Sequence, residues 1–208
     1  NTQGYKKEQT GFKSLLYQNL QSTSTNSAGD KKPVAAQVGL GSRIASITSV
    51  YTQGSLLESG SYMDWAIEGD GFYKVQMTDG TVEYTRNTGF GFSLNPDESV
   101  TVCTSGGNPI LDADNKPIVI GSQYISSTLE VSKDGKLSAK TEDGELHDLG
   151  IQVGLVQFSN AAGLEKDGES LLKATPASGT PMEESEFAVT QRSKVRQGYT
   201  EGSNVQIV

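Results

Sequence analysis

Asp-Gly occurs five times in the chain, at Asp70-Gly71, Asp79-Gly80, Asp134-Gly135, Asp143-Gly144 and Asp167-Gly168. Tight reversals often need positive φ, which glycine supplies freely and aspartate tolerates, so each pair marks a place where a strand can fold back. Between and around these pairs lie short β-prone runs: Arg43 to Tyr51, Phe72 to Met77, Thr81 to Thr85, Ser99 to Cys103, Thr128 to Val131, Lys136 to Lys140 and Ile151 to Phe158. Met77 to Thr81 and Val131 to Lys136 are the clearest hairpins. With 24 glycines and only 34% hydrophobic residues, many positions must sit in turns and on solvated surface. Helix and strand patterns do not alternate, which disfavours a doubly wound enzyme fold. The chain reads as mainly β, an antiparallel β domain with many hairpins.

The N-terminal segment has a different texture. Phe12, Leu15, Leu16 and Leu20 are spaced by three, one and four residues, and their common side predicts a helix of about two or three turns, too short to stand alone. Gln21 to Lys32 carries one apolar side chain, Ala28, and cannot offset the entropy of ordering by burial. Residues 21–33 are therefore expected to be a linker, flexible or ordered by a partner.

Charge and composition exclude several functions. Twenty-five acidic against 17 basic residues give a formal charge of -8, and no basic cluster exceeds Lys6-Lys7 or Lys31-Lys32, so nucleic acid is not an expected partner. No apolar run approaches the roughly 18 residues of a membrane span, and Asn1 to Thr10 contains nothing like a signal peptide, so membrane insertion is not expected. The single cysteine, Cys103, reads as an inert thiol in a core or turn.

Catalytic patterns fail one by one. His147, the sole histidine, lies in the acidic stretch Glu142 to Asp148 with no nucleophile-elbow pattern, and one Cys with one His cannot build a zinc site. Asp112-Ala113-Asp114-Asn115-Lys116 begins like a calcium loop, but a lysine stands where a third acceptor belongs, and it reads as a polar turn. Gly69-Asp70-Gly71 opens like a nucleotide fingerprint, yet Lys74 takes the third glycine position and a strand follows. The reading is of a non-enzyme with no catalytic residues, cofactor or metal.

Ordered segments then carry a resemblance. Asn1-Thr2-Gln3-Gly4-Tyr5-Lys6 opens the chain, and Gly11 to Leu20 and Gln37 to Arg43 follow around the polar linker. Tyr51-Thr52-Gln53-Gly54, Met63 to Val75 and Tyr84-Thr85-Arg86-Asn87-Thr88-Gly89-Phe90 come next. Leu155 to Leu164, with Phe158, and Gln197-Gly198-Tyr199-Thr200-Glu201-Gly202-Ser203-Asn204-Val205 close the series. Together they resemble the bacterial flagellar rod/hook family, most closely its distal-rod branch. The pattern departs at Asn95 to Ser99, where an Asp-x-x-Gly turn is usual, and at Phe187 to Lys194, which lacks a glycine-rich run.

The resemblance implies a structural subunit that polymerises into a rigid helical tube and transmits torque from motor to hook. It implies the basal body outside the cytoplasmic membrane as location, periplasmic in a two-membrane cell, and export without a cleaved signal peptide. Implied partners are copies of the chain, other rod proteins, hook or junction proteins and ring (bushing) proteins. The family's terminal helices are expected to flank this sequence, and without them the chain should be monomeric. The implied organisation is an arm at 1–51, a central β domain at 52–190 and a return at 191–208 that joins the arm in a small stalk. The motif residues are Asn1, Thr2, Gly4, Thr52, Gln53, Gly54, Ala66, Gly69, Gly71, Phe72, Tyr84, Thr85, Arg86, Phe158, Gly198, Ser203, Asn204 and Val205. Leu15, Leu16, Tyr17, Leu20 and Arg43 mark the arm expected between subunits. Chemically, Ala66, Gly69 and Gly71 permit close approach, Trp65, Ile67, Phe72 and Val75 supply core faces, and Arg86 suits neighbouring carbonyls or a carboxylate. Two other readings are a proximal-rod or hook subunit, and a β-rich adhesin or carbohydrate-binding module using Tyr51, Tyr62, Trp65 and Tyr124 as a platform.

Overall fold

Four of the five Asp-Gly glycines adopt positive φ, between 78° and 85° at Gly80, Gly135, Gly144 and Gly168, and each closes a reversal between antiparallel strands. At the first, Met77 N–H donates to the Thr81 carbonyl at 2.8 Å; at the second, Ser132 N–H donates to the Lys136 carbonyl at 2.9 Å. Asp70-Gly71 is the exception. There Gly69 takes the positive φ of 130°, and Gly71 serves close packing instead, because a Cβ on it would lie 2.7 Å from Ser193 Oγ and 2.8 Å from Glu184 Oε1.

The computed structural model describes residues 6–15, 17–21, 36–39, 41–186, 189 and 191–205, with backbone alone described for 17–21 and 36–39. It divides into two compact units, Glu8–Ser49 and a larger one formed by 1–7 with 50–208. Described residues contain many antiparallel strands and no α-helix, so the mainly β reading holds.

The short helix expected over Phe12 to Leu20 is not present. Glu8–Ser14 is a strand paired with Ser42–Ser49, and Tyr17–Gln21 is a strand paired with Ala36–Gly39. An isolated helix of two or three turns is marginal in water. The extended alternative places Phe12 opposite Ile44 and Thr10 opposite Ile47, each beside a β-branched partner. Leu15 N–H donates to the Gly41 carbonyl at 2.8 Å. Leu16 and most of the expected linker lie outside the described residues.

In the larger unit, a six-stranded antiparallel sheet runs Glu165–Lys166, Leu171–Lys173, Val82–Thr85, Phe72–Gln76, Leu155–Gln157, Met182–Glu183. Two three-stranded meanders accompany it, one of Phe90–Leu94, Val100–Thr104 and Val119–Ile120, the other of Tyr124–Val131, Lys136–Thr141 and Leu146–Gln152. The Asn95 to Ser99 turn closes the first meander with Glu98 at φ 65°, the left-handed position that a glycine would fill more easily. Near the end of the chain, Lys194–Gln197 pairs with Trp65–Glu68 and Tyr199–Glu201 with Leu56–Glu58.

Alternation along Phe72–Gln76 divides the apolar interior. Tyr73 and Val75 face a large cluster with Trp65, Ile67, Phe90, Val102, Leu137 and Val195, while Phe72 joins Tyr84, Val156, Leu164 and Leu172 on the other side. The core residues expected from sequence are thus buried, but Phe72 serves a different cluster from Trp65, Ile67 and Val75. Lys74 shares the Phe72 face and is buried; its ammonium donates to Asn115 Oδ1 at 2.7 Å and to both Glu183 oxygens at 2.9 Å.

Candidate functional site

The motif residues converge on a buried charge knot. Arg86 leaves the strand Val82–Thr85 and turns inward, donating through Nη1 to the Gly69 and Gly71 carbonyls at 2.9 Å each, and through Nε to Glu201 Oε2 at 3.0 Å. Its guanidinium carbon lies 5.6 Å from the centre of the Phe72 ring. Glu201, in the strand Tyr199–Glu201, accepts through its other oxygen from Lys6 Nζ at 2.6 Å and from Gly54 N–H at 2.8 Å. Lys6 also donates to the Thr52 carbonyl at 3.0 Å. Lys6, Arg86 and Glu201 are all 5% exposed or less, so each depends on the others to offset its lost hydration.

Glycines and amides frame the knot. A Cβ on Gly54 would come within 1.9 Å of the Gly202 carbonyl oxygen, so only glycine lets the two segments touch. Gln53 bridges backbone, donating to Ile67 O at 2.9 Å and accepting from Gly69 N–H at 3.1 Å. Asn204 accepts from Lys7 N–H at 2.7 Å and donates to Val50 O at 2.8 Å and to Thr52 O at 3.0 Å. The first described residues, the segment at 50–54 and the last strand are thereby tied together.

The remaining motif residues form a supporting layer. Phe158 stacks edge-on with Phe72 and Tyr84, at 5.7 Å and 4.9 Å between ring centres. Thr85 Oγ1 donates to the Ser170 carbonyl, Gly198 N–H donates to Asp64 O, and Ala66 is fully buried opposite Arg196. Ser203 Oγ accepts from Val205 N–H at 3.2 Å, and Val205 is exposed. Asn1, Thr2 and Gly4 lie outside the described residues. In the arm, Tyr17 and Leu20 fall in the strand Tyr17–Gln21, and Arg43 is exposed opposite Lys13.

Sequence reasoning did not assign Lys6 and Glu201 to the site. The signal was present: Arg86 needed an acceptor, and Glu201 stands among the closing-motif residues, but a separation of 195 residues from Lys6 leaves no local trace of the pairing.

The knot's electrostatics are those of a clamp. Burial alone would push the Glu201 carboxyl up, but Arg86, the Lys6 ammonium and the Gly54 N–H outweigh it and hold it below the usual carboxylate range. Burial, then Arg86, depress Lys6, with Glu201 opposing. A folded-state value below the unfolded one means that this carboxylate stabilises the fold above the ordinary carboxylate range, and the contribution is lost as pH falls through the depressed value. Glu83 has the opposite sign, since burial and neighbouring Asp167 hold it above the usual range. We therefore expect wild-type urea midpoints to drop on acidification below about pH 4, with that drop reduced in a Glu201→Gln variant; equal acid limbs would contradict the assignment.

Other chemically suggestive residues are committed to structure. Asp112 Oδ1 accepts from Asp114 and Lys116 N–H, and Asn115 accepts from Lys74, so the calcium-like turn uses these acceptors internally. The Cys103 thiol is buried, and burial pushes it up. Trp65 is fully buried, Tyr51 stacks on Phe72, Tyr62 lies against Phe92 and Tyr124 against His147, which leaves no row of exposed rings among these four.

Comparison with known proteins agrees with this architecture. The family described as flagellar hook protein FlgE/F/G D1 domain matches residues 66–139. The chain is 34% identical over 209 residues to the flagellar basal-body rod protein FlgG of Buchnera aphidicola subsp. Schizaphis graminum, covering 100% of this chain and 76% of that protein. It is 35% identical over 213 residues to the FlgG protein of Borreliella burgdorferi, covering 100% and 75%. Similarity at this level along the whole chain, through both the central domain and the knot-forming ends, establishes that the chain belongs to the flagellar basal-body rod protein FlgG family.

Proposed function

We propose that the chain is a structural subunit of the distal flagellar rod, assembling with copies of itself into a rigid helical tube that carries torque from motor to hook. The supporting observation is the unit Glu8–Ser49. Its strands Glu8–Ser14 and Ser42–Ser49 form a two-stranded ribbon whose register puts Phe12, Ile44 and Ile47 on one face, at 72%, 60% and 59% exposure. A two-stranded ribbon is marginal in water on its own, and three large apolar side chains on one face call for a cover. A neighbouring subunit of the lattice meets that need, and the arm containing Leu15, Leu16, Tyr17, Leu20 and Arg43 then acts as a wedge that stiffens the polymer. Open helical assembly follows when one patch meets a different patch on the next copy.

The charge knot has a supporting role in this reading. It fixes the segment entering the larger unit against the segment leaving it, so that load passes through a clamped junction. We assign no catalytic role. Further partners on this reading are other rod proteins, hook or junction proteins and ring proteins, at the basal body outside the cytoplasmic membrane. Burial of Trp65 disfavours the carbohydrate-binding alternative, and whole-length similarity to FlgG proteins disfavours the hook.

The test is electron microscopy of the full-length gene product beside this chain under assembly conditions. Straight, rigid filaments from the long form are expected; their failure to appear across conditions would reject the reading. In the same assay, Phe12→Ser, Ile44→Ser and Ile47→Ser together should leave the thermal midpoint of the larger unit unchanged and make filaments shorter or more flexible. Filaments of wild-type persistence would remove the ribbon from the interface.

A further inference from the structure

The ribbon of Glu8–Ser14 and Ser42–Ser49 has a second face, and it is basic. Its register sets Lys13 directly opposite Arg43, on the side away from Phe12 and Ile44, and both cations are exposed. Like charges opposite each other on paired strands repel. Neither side chain has an ion pair or hydrogen bond among the described residues to offset that repulsion. The ribbon thus presents an apolar side and, behind it, a pair of cations in want of an anion.

Charge is divided between the two units in the same sense. Residues 8–49 hold four lysines and arginines against two acids, a formal charge of +2, so the chain's -8 leaves -10 on the larger unit. On that unit, the tip joining the strands Lys136–Thr141 and Leu146–Gln152 gathers Glu142, Asp143 and Glu145 within four residues, all exposed. Glu145 lies 3.9 Å from His147, whereas Glu142 and Asp143 have no side-chain ion pair or hydrogen bond among the described residues. Below the tip, register aligns Ile125, Lys140 and Leu146 across three strands, with Ile125 and Leu146 exposed. Lys140 offsets one of the three acids, and the tip stays negative.

We propose that the basic face of the ribbon docks on this tip in a second copy of the chain. Lys13 and Arg43 face Glu142 and Asp143, and their methylenes lie along Leu146 and Ile125, an arrangement that suits long cationic side chains. The argument is charge complementarity between a ribbon unit of one sign and a larger unit of the other. An exposed ion pair contributes little by itself; repeated at every subunit of a lattice, the small terms add. This inference rests on the rod-subunit reading and names one contact within it, leaving the apolar face of the ribbon to a different neighbour.

The test is charge reversal and exchange in the full-length gene product, read by sedimentation of polymer. Lys13→Glu with Arg43→Glu, and separately Glu142→Lys with Asp143→Lys, should each raise the critical concentration about tenfold, because like charges then meet. The thermal midpoint of the larger unit should not change in either. All four changes in one protein should restore polymerisation towards wild type, since the signs are again opposed. In an equimolar mixture of Arg43→Cys and Asp143→Cys proteins, mild oxidation of polymer should link the two variants, which a contact inside one copy cannot do. Wild-type critical concentrations for the reversed pairs, no recovery in the combined variant, or absence of the mixed disulfide would each overturn the proposal and leave the rod reading intact. Absence of polymer from the unmodified protein overturns both.

Discussion

Glu201→Ala is expected to destabilise the larger unit by about 3–5 kcal/mol, because removing one partner of a buried ion cluster leaves the others charged and uncompensated. Here two cations, Lys6 and Arg86, lose their common carboxylate, and Gly54 N–H loses its acceptor. For a chain of this size the thermal midpoint should fall by roughly 6–20 °C. Glu201→Gln keeps an acceptor oxygen and the volume but not the charge, so its loss should be smaller and of the same sign. Replacing all three members together, Lys6→Met, Arg86→Met and Glu201→Leu, should recover part of the loss, since an apolar cluster bears no desolvation penalty. Denaturant midpoints of the four proteins decide the matter. A loss below about 1 kcal/mol for Glu201→Ala would place the pair in the class of solvated surface bridges and remove the knot as a structural element.

Trp65→Ala should cost a similar amount, about 3–5 kcal/mol, through lost transfer energy and the cavity left behind. The indole is fully buried, lies 5.2 Å from the Phe90 ring and donates through Nε1 to the Tyr62 carbonyl at 2.9 Å, while Tyr73 Oη donates to the Trp65 carbonyl at 2.9 Å. As the only tryptophan, it reports its own environment: wild-type emission should be blue-shifted in the native state and move to the red on unfolding. Water-like emission from the native protein would contradict the burial and revive a surface role for this ring. Trp65→Phe, which retains most of the apolar contact, should lose less than the alanine variant.

Local chemistry made the hairpins legible. Asp-Gly pairs at positions 79, 134, 143 and 167 marked reversals because the requirement for positive φ is met within two residues. Asp70-Gly71 looked the same and was not, since Gly71 is selected by Ser193 and Glu184, which approach it from more than 100 residues away. The helix expected over Phe12 to Leu20 failed for a related reason: apolar spacing fits a helical face, but pairing with Ser42–Ser49 supplies hydrogen bonds that a short helix cannot match. At the knot, the chemistry of Arg86 pointed to carbonyls and a carboxylate, and it holds both. Which carboxylate it holds was not readable, because the partner is set by the path of the chain and not by its local pattern.

The span of the Lys6–Glu201 contact, 195 residues, has a consequence for the order in which the molecule is made. A polypeptide emerging with its N-terminus first, from a ribosome or a narrow secretion channel, presents Lys6 and Arg86 long before the carboxylate that neutralises them. The strands Lys194–Gln197 and Tyr199–Glu201, which cover Trp65–Glu68 and Leu56–Glu58, arrive equally late. Closing so long a loop is slow, and contacts of this kind lengthen the search for the native state. Until residues 194–201 are free, the larger unit has neither its charge balance nor the strands that cover Trp65–Glu68 and Leu56–Glu58, and the nascent chain stays pliable enough to be threaded onward.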